Sequence, residues 1–164
     1  MTPSLRASEI ILGVPFDHTI DIWAFGCVVH NFITDSPMFS NWGALAGIAD
    51  EQTHLDDHLL QMIRAWGPFP ETLLMKWPQR FKYFDEDGTP IRTWLGPSPF
   101  PENSKTLALV DGVLETVHLP GMGKEERRQI LEILRWTLQY DPKDRPSTFE
   151  LLEHACFKDL PRLT

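Results

Sequence analysis

Ile20-Asp21-Ile22-Trp23-Ala24-Phe25-Gly26-Cys27-Val28-Val29-His30-Asn31-Phe32-Ile33 is the stretch that decides the fold. Only Asp21, His30 and Asn31 interrupt its bulky apolar side chains. A helix that is greasy on nearly every side belongs at the centre of a domain, because no face of it suits water. Asp17 stands just ahead as an N-terminal cap, so the pattern predicts one buried helix over 17–34 with the rest of the chain wrapped around it.

Downstream, residues 35–54 mix Pro37, Gly43 and Gly47 with small polar residues and read as loop-rich. A second helix is predicted from near Leu55. There Asp56 and Asp57 suit the positive end of a helix dipole, and Leu55, Leu59, Ile63 and Trp66 recur at helical spacing. Gly67 and Pro68 stop it. Pro70 and Glu71 open a short helix, and Asp85-Glu86-Asp87-Gly88 makes a turn. The whole of 85–105 reads as a surface excursion, densest in proline from Pro90 to Pro101. Two more helices are predicted. One spans Lys124 to Tyr140, with Ile130, Ile133, Leu134, Thr137 and Leu138 on one face; the other spans Thr148 to His154 and is opened by a Ser147-x-x-Glu150 capping box. No alternating pattern is long enough for a strand, so the fold class is mainly α.

Composition narrows the functions further. With 164 residues, 42% of them hydrophobic and 23% charged, the chain can bury one domain-sized core, and we read 1–164 as one domain. A formal charge of -8 without clustered Lys and Arg argues against nucleic acid and leaves room for a basic partner. Cys27 and Cys156 lack metal-binding spacing and sit in apolar surroundings, so they read as reduced core residues of an intracellular protein, cytoplasmic or nuclear. No apolar run approaches the ~18 residues of a membrane span. His54, Asp57 and His58 share one helix face, yet a zinc site needs a fourth group, and acids gather at helix N-termini anyway; no metal is expected. The run Glu125-Glu126-Arg127-Arg128 reads as a solvated first turn.

Four segments in fixed order resemble the later part of the large lobe of eukaryotic protein kinases. Arg6-Ala7-Ser8-Glu9-Ile10-Ile11-Leu12-Gly13 looks like the Ala-Pro-Glu motif that closes an activation segment, with Ser8 at the proline position. Asp21-Ile22-Trp23-Ala24-Phe25-Gly26-Cys27 is similar to the start of that lobe's central helix. Asp141-Pro142 followed by Arg145-Pro146-Ser147 resembles the turn before its last helices, and His154-Ala155-Cys156-Phe157 stands where His-Pro-Trp-Phe is usual. Arg6 ahead of the motif points to the CMGC group, and the nearest pattern is SR-protein-kinase-like. The resemblance covers nearly the whole chain and implies a partial large lobe with helices around a central one and no small lobe.

The resemblance also assigns roles. Glu9 and Arg145 are implied to form a buried ion pair. Asp21, Trp23 and Gly26 are implied parts of the structural motif, Arg6 of the activation segment. Asp56-Asp57-His58 resembles the opening of the helix that docks Arg/Ser-rich substrates. Of three acidic docking positions, Asp57 keeps its charge, Ser36 takes the second beside Asp35, and Arg64 reverses the third. Phosphoryl transfer needs a Gly-rich lid, a lysine on the phosphates, magnesium ligands and an aspartate for the acceptor hydroxyl. The chain has no Gly-x-Gly-x-x-Gly, no His-Arg-Asp and no Asp-Phe-Gly; in the family those motifs would precede Met1. No catalytic residue is therefore expected here, and ATP and magnesium are implied only for a full-length relative. Without the amides that its counterpart accepts, Asp21 is expected either to face water or to become neutral. Two readings follow: part of a Ser/Thr kinase, silent alone, or a non-catalytic helical scaffold. The partner is an Arg/Ser-rich basic protein or a chain that covers the missing half.

Overall fold

Amphipathic periodicity makes the elements, and their apolar faces assemble them. The computed structural model describes residues 2–39, 51–91 and 122–158. After a 3-10 turn at Pro3–Leu5 come α1 (Ser8–Ile11), α2 (Thr19–Thr34), α3 (Glu51–Trp66), α4 (Glu71–Leu74), α5 (Lys124–Thr137), α6 (Thr148–Leu152) and α7 (Ala155–Lys158). Two more 3-10 turns lie at Arg80–Lys82 and Pro142–Asp144. Among the described residues the only β pairing is an isolated bridge between Phe84 and Pro90. The chain is mainly α, as read from its sequence, and the described residues include no sheet of a small lobe.

The core gathers Trp23 and Cys27 of α2, Leu59, Leu60, Met62 and Ala65 of α3, Leu134 of α5 and the adjoining Leu138, with Phe39, Phe69 and Trp77 from the connections. α2 packs along α5, and α1 against α3. Two side chains tie the C-terminal ends of α3 and α5 together: Trp66 Nε1 donates to the Leu138 carbonyl, and the buried Tyr140 hydroxyl is shared between the carbonyls of Met62 and Gly67.

Several boundaries differ from expectation. α3 is helical from Glu51, so 51–54 are helix rather than loop, and Asp56 and Asp57 lie beyond its first described turn; residues 40–50 lie outside the described set. α5 ends at Thr137 because Leu138 leaves helical geometry (φ -96°, ψ 41°). α6 keeps its capping box, with Ser147 Oγ accepting from Glu150 N at 3.2 Å, but stops at Leu152. The turn at 85–88 forms, with Asp85 Oδ1 accepting from Asp87 N and Thr89 N and Gly88 at φ +75°. The rest of the proline-rich excursion, 92–105, lies outside the described residues. Cys27 is buried, whereas Cys156 is only half-buried and not a core residue; both are free thiols.

The main correction concerns α2, which is not buried all round. Ile22, Trp23, Gly26, Cys27 and His30 form its buried face. On the opposite face Asp21 is exposed, Phe25 half-buried, Val28 49% exposed and Phe32 90% exposed. Among the described residues nothing covers Val28 and Phe32, so an apolar stripe at helical spacing is left open.

Gly26 sets the distance between α2 and α5. A β-carbon there would lie 2.8 Å from Leu138 Cγ and would overlap the Thr137 hydroxyl, which is itself held by the Ile133 carbonyl at 2.8 Å. Gly26→Ala is expected to cost about 1–3 kcal/mol of overpacking. That exceeds the ~1 kcal/mol gained in helix propensity. Urea unfolding should show a lowered midpoint, partly restored when Thr137→Ala removes the hydroxyl.

Candidate functional site

Arg145 follows the Pro142–Asp144 turn in extended geometry, which carries its guanidinium back under α1 and the start of α2. Nη1 and Nη2 donate to the two carboxylate oxygens of Glu9 at 2.5 and 3.0 Å. Nε donates to the Gln139 carbonyl at 2.8 Å, Nη1 also to Thr19 at 3.3 Å and Nη2 also to Tyr140 at 3.4 Å. Five N–H groups thus meet five acceptors, the full capacity of a guanidinium. Both partners are buried, Glu9 to 2% exposure, and the Arg145 Cζ stands 5.2 Å from the Trp23 ring centroid. One residue therefore joins α1, the N-terminus of α2 and the segment after α5. Trp23 stacks on Phe39 and Tyr140 beneath it.

Asp21 lies one turn from this centre, on the exposed side of α2, so of the two outcomes expected for its carboxylate the structure has it facing water. It is not joined to the Glu9–Arg145 pair; instead it shares the outer face of α2 with the exposed Val28 and Phe32.

Arg6 is half-buried beside α1 and borders a cavity of about 180 Å³ with Pro3, Ile11, Glu51, His54 and His58. His54 and His58 lie one turn apart on α3 and face the same space. His54 Nδ1 and His58 Nε2 are buried without a hydrogen-bond partner. Asp57 does not join them, since its Oδ2 accepts from Gln61 Nε2 at 2.7 Å. Among the described residues no three His, Cys, Asp or Glu side chains converge as metal ligands. Arg6 thus sets a guanidinium at the cavity beside two imidazole rings, and a cation there suits an anionic group.

Burial, with a smaller push from the Arg6 charge, holds the His58 imidazole down at about 4. The unfolded chain takes up that proton near 6.5 and the folded chain only near 4. The folded state therefore binds fewer protons between those values. Its stabilisation is complete above the unfolded value and is lost as pH falls through the folded one. NMR titration of the His58 ring should show a neutral imidazole well below pH 6; a midpoint near 6.5 would contradict its burial.

The three implied docking acids separate. Asp35 caps α2 in left-handed geometry (φ 52°) and is exposed beside the exposed Ser36. Asp57 is half-buried on α3, and Arg64 lies on the same helix with a buried, unpartnered Nε. Asp56 is a correction: at 1% exposure its carboxylate is closed to a docking peptide. Its Oδ1 accepts from Trp77 Nε1 at 2.7 Å and Gln52 Nε2 at 3.0 Å, and its Oδ2 from the Tyr83 hydroxyl at 3.0 Å. Asp56 thus pins the segment after α4 onto α3. Its offset from Leu59, Leu60 and Ile63 is the signal that places it on the buried stripe of α3 rather than among docking acids.

Comparison with known proteins agrees with this geometry. The family model described as protein kinase domain matches residues 1–157. A serine/threonine-protein kinase SRPK from Physarum polycephalum is 32% identical over 98% of the chain and 34% of its own length. A serine/threonine protein kinase of Aspergillus fumigatus is 33% identical over 90% of the chain and 33% of its own length. A dual specificity protein kinase of Schizosaccharomyces pombe is 26% identical over 95% of the chain and 20% of its own length. The chain spans about a third of the length of the first two.

Proposed function

Because this chain belongs to the protein kinase family, we propose that it supplies the scaffold half of a Ser/Thr kinase large lobe and transfers no phosphoryl group by itself. The observation that carries the reading is the two-sided character of α2. One face is locked to α1 and α5 around Glu9 and Arg145, while Val28 and Phe32 stand open on the other. A surface of that kind fits a helix made to be covered by further sequence.

ATP and magnesium serve the family, but the residues present here do not fit them. No Gly-rich lid or Asp-Phe-Gly occurs, and the two most buried carboxylates among the described residues are already engaged, Glu9 by Arg145 and Asp56 by Trp77 and Tyr83. No step of phosphoryl transfer can be routed through these groups. As partner, an Arg/Ser-rich basic segment fits the formal charge of -8 and the acids Asp35 and Asp57. No helix among the described residues is long and apolar enough to cross a membrane; an intracellular setting, cytoplasmic or nuclear, belongs to the same proposal.

The test is an assay of the 164-residue chain with labelled ATP, magnesium and an Arg/Ser-repeat peptide. No label should enter the peptide, and anisotropy should report peptide binding that weakens in Asp57→Asn and at high salt. Transfer dependent on the isolated chain would overturn the scaffold reading. Binding indifferent to both salt and Asp57 would overturn the partner.

A further inference from the structure

A second apolar surface lies at the other end of the molecule. α6 is fixed by its capping box, in which Glu150 Oε2 accepts from Ser147 N at 2.8 Å and Ser147 Oγ at 2.7 Å. That register turns Leu151 into the core and leaves Phe149 74% and Leu152 60% exposed, three residues apart. Trp136 of α5, Phe149 of α6 and Ala155 of α7 line one shallow groove, bordered by Glu150, Glu153 and His154. A Trp and a Phe converging in an open groove are the side chains that dominate protein interfaces. The rim of the groove itself is acidic, since Glu150 and Glu153 line it beside His154, whereas acids and bases alternate along α5, where Glu125 and Glu132 share Arg128.

We propose that this groove docks a basic amphipathic helix of a partner protein. Apolar side chains one turn apart would lie over Trp136 and Phe149, and flanking Lys or Arg would meet Glu150 and Glu153. Charge selects this occupant. A nucleic acid strand would be repelled by the carboxylates, and a second copy of a chain carrying -8 would bring the same carboxylates to face them. The inference stands apart from the kinase reading, since it uses no residue of α1, α2 or the Arg6 cavity.

The test uses the 164-residue chain and a fluorescein-labelled Lys/Leu helical peptide, with its Glu/Leu counterpart as control. The Lys/Leu peptide should bind saturably, with affinity falling as salt rises. Phe149→Ser should weaken it about tenfold or more. Because Phe149 is exposed, that variant should keep its helical circular dichroism, and Phe32→Ser on the open face of α2 should leave affinity unchanged. The proposal is overturned if Phe149→Ser has no effect, if Phe32→Ser removes binding, or if the Glu/Leu peptide binds as well. It is equally overturned if sedimentation shows a dimer that Phe149→Ser dissociates, for then the occupant is a second copy.

Discussion

Arg145→Ala is expected to lower the unfolding free energy by about 3–5 kcal/mol, the cost of leaving one half of a buried ion pair behind. The substitution strands the Glu9 carboxylate at 2% exposure and removes the donor shared by the carbonyls of Gln139, Thr19 and Tyr140. Arg145→Lys should recover little of the loss, because an ammonium has three donors on a single centre and cannot reproduce a planar fork that meets five acceptors. Glu9→Gln should cost less than Arg145→Ala, since an amide keeps one acceptor oxygen for the guanidinium. A double-mutant cycle on the two residues, read by chemical denaturation, should give a large coupling energy. Additive effects would mean that the pair does not hold α1 to the segment after α5.

The second large effect belongs to Asp56. Asp56→Ala is expected to cost about 2–4 kcal/mol, because the buried Trp77 Nε1 loses its acceptor and keeps its desolvation cost, and the half-buried Tyr83 hydroxyl loses its bond to the carboxylate. Trp77 is fully buried, so water cannot replace the carboxylate there. Asp56→Asn should cost less, since its amide oxygen can still receive Trp77. The phenol offers a separate readout. Burial first, and then the hydrogen bond and charge of Asp56, push Tyr83 up to about 12. In Asp56→Asn that value should fall part of the way towards 10, which absorbance titration can follow. A Tyr83 that titrates unchanged in the variant would show that the contact is not maintained in solution.

Much of this was legible in the sequence, because α2, α3, α5 and α6 are written in local signals: an apolar run, a 3.6-residue period, a capping box and Gly-Pro punctuation. Pairing of Glu9 with Arg145 was accessible only through family resemblance, since the two stand 136 residues apart and no local rule joins them. Two things escaped. The open stripe on α2 was hidden because Val28 and Phe32 are as apolar as the buried Trp23 and Cys27, and composition does not say which face has a neighbour. Asp56 was read as an acid at a helix start, and through the resemblance as a docking acid, because an acid pair ahead of apolar residues suits the positive end of a helix dipole. Its real role depends on Trp77 and Tyr83, which reach it across a connection whose path the sequence does not state.

Side-chain exposure along α2 is the measurement closest to the centre of this account. Hydroxyl-radical footprinting of the chain, with each residue compared with itself in the urea-unfolded state, should find Phe32 and Val28 oxidised nearly as fast as when unfolded, while Trp23 and Cys27 are strongly protected. Equal protection of Phe32 and Trp23 would mean that α2 is covered on both faces, and the picture of a lobe open to further sequence would fail.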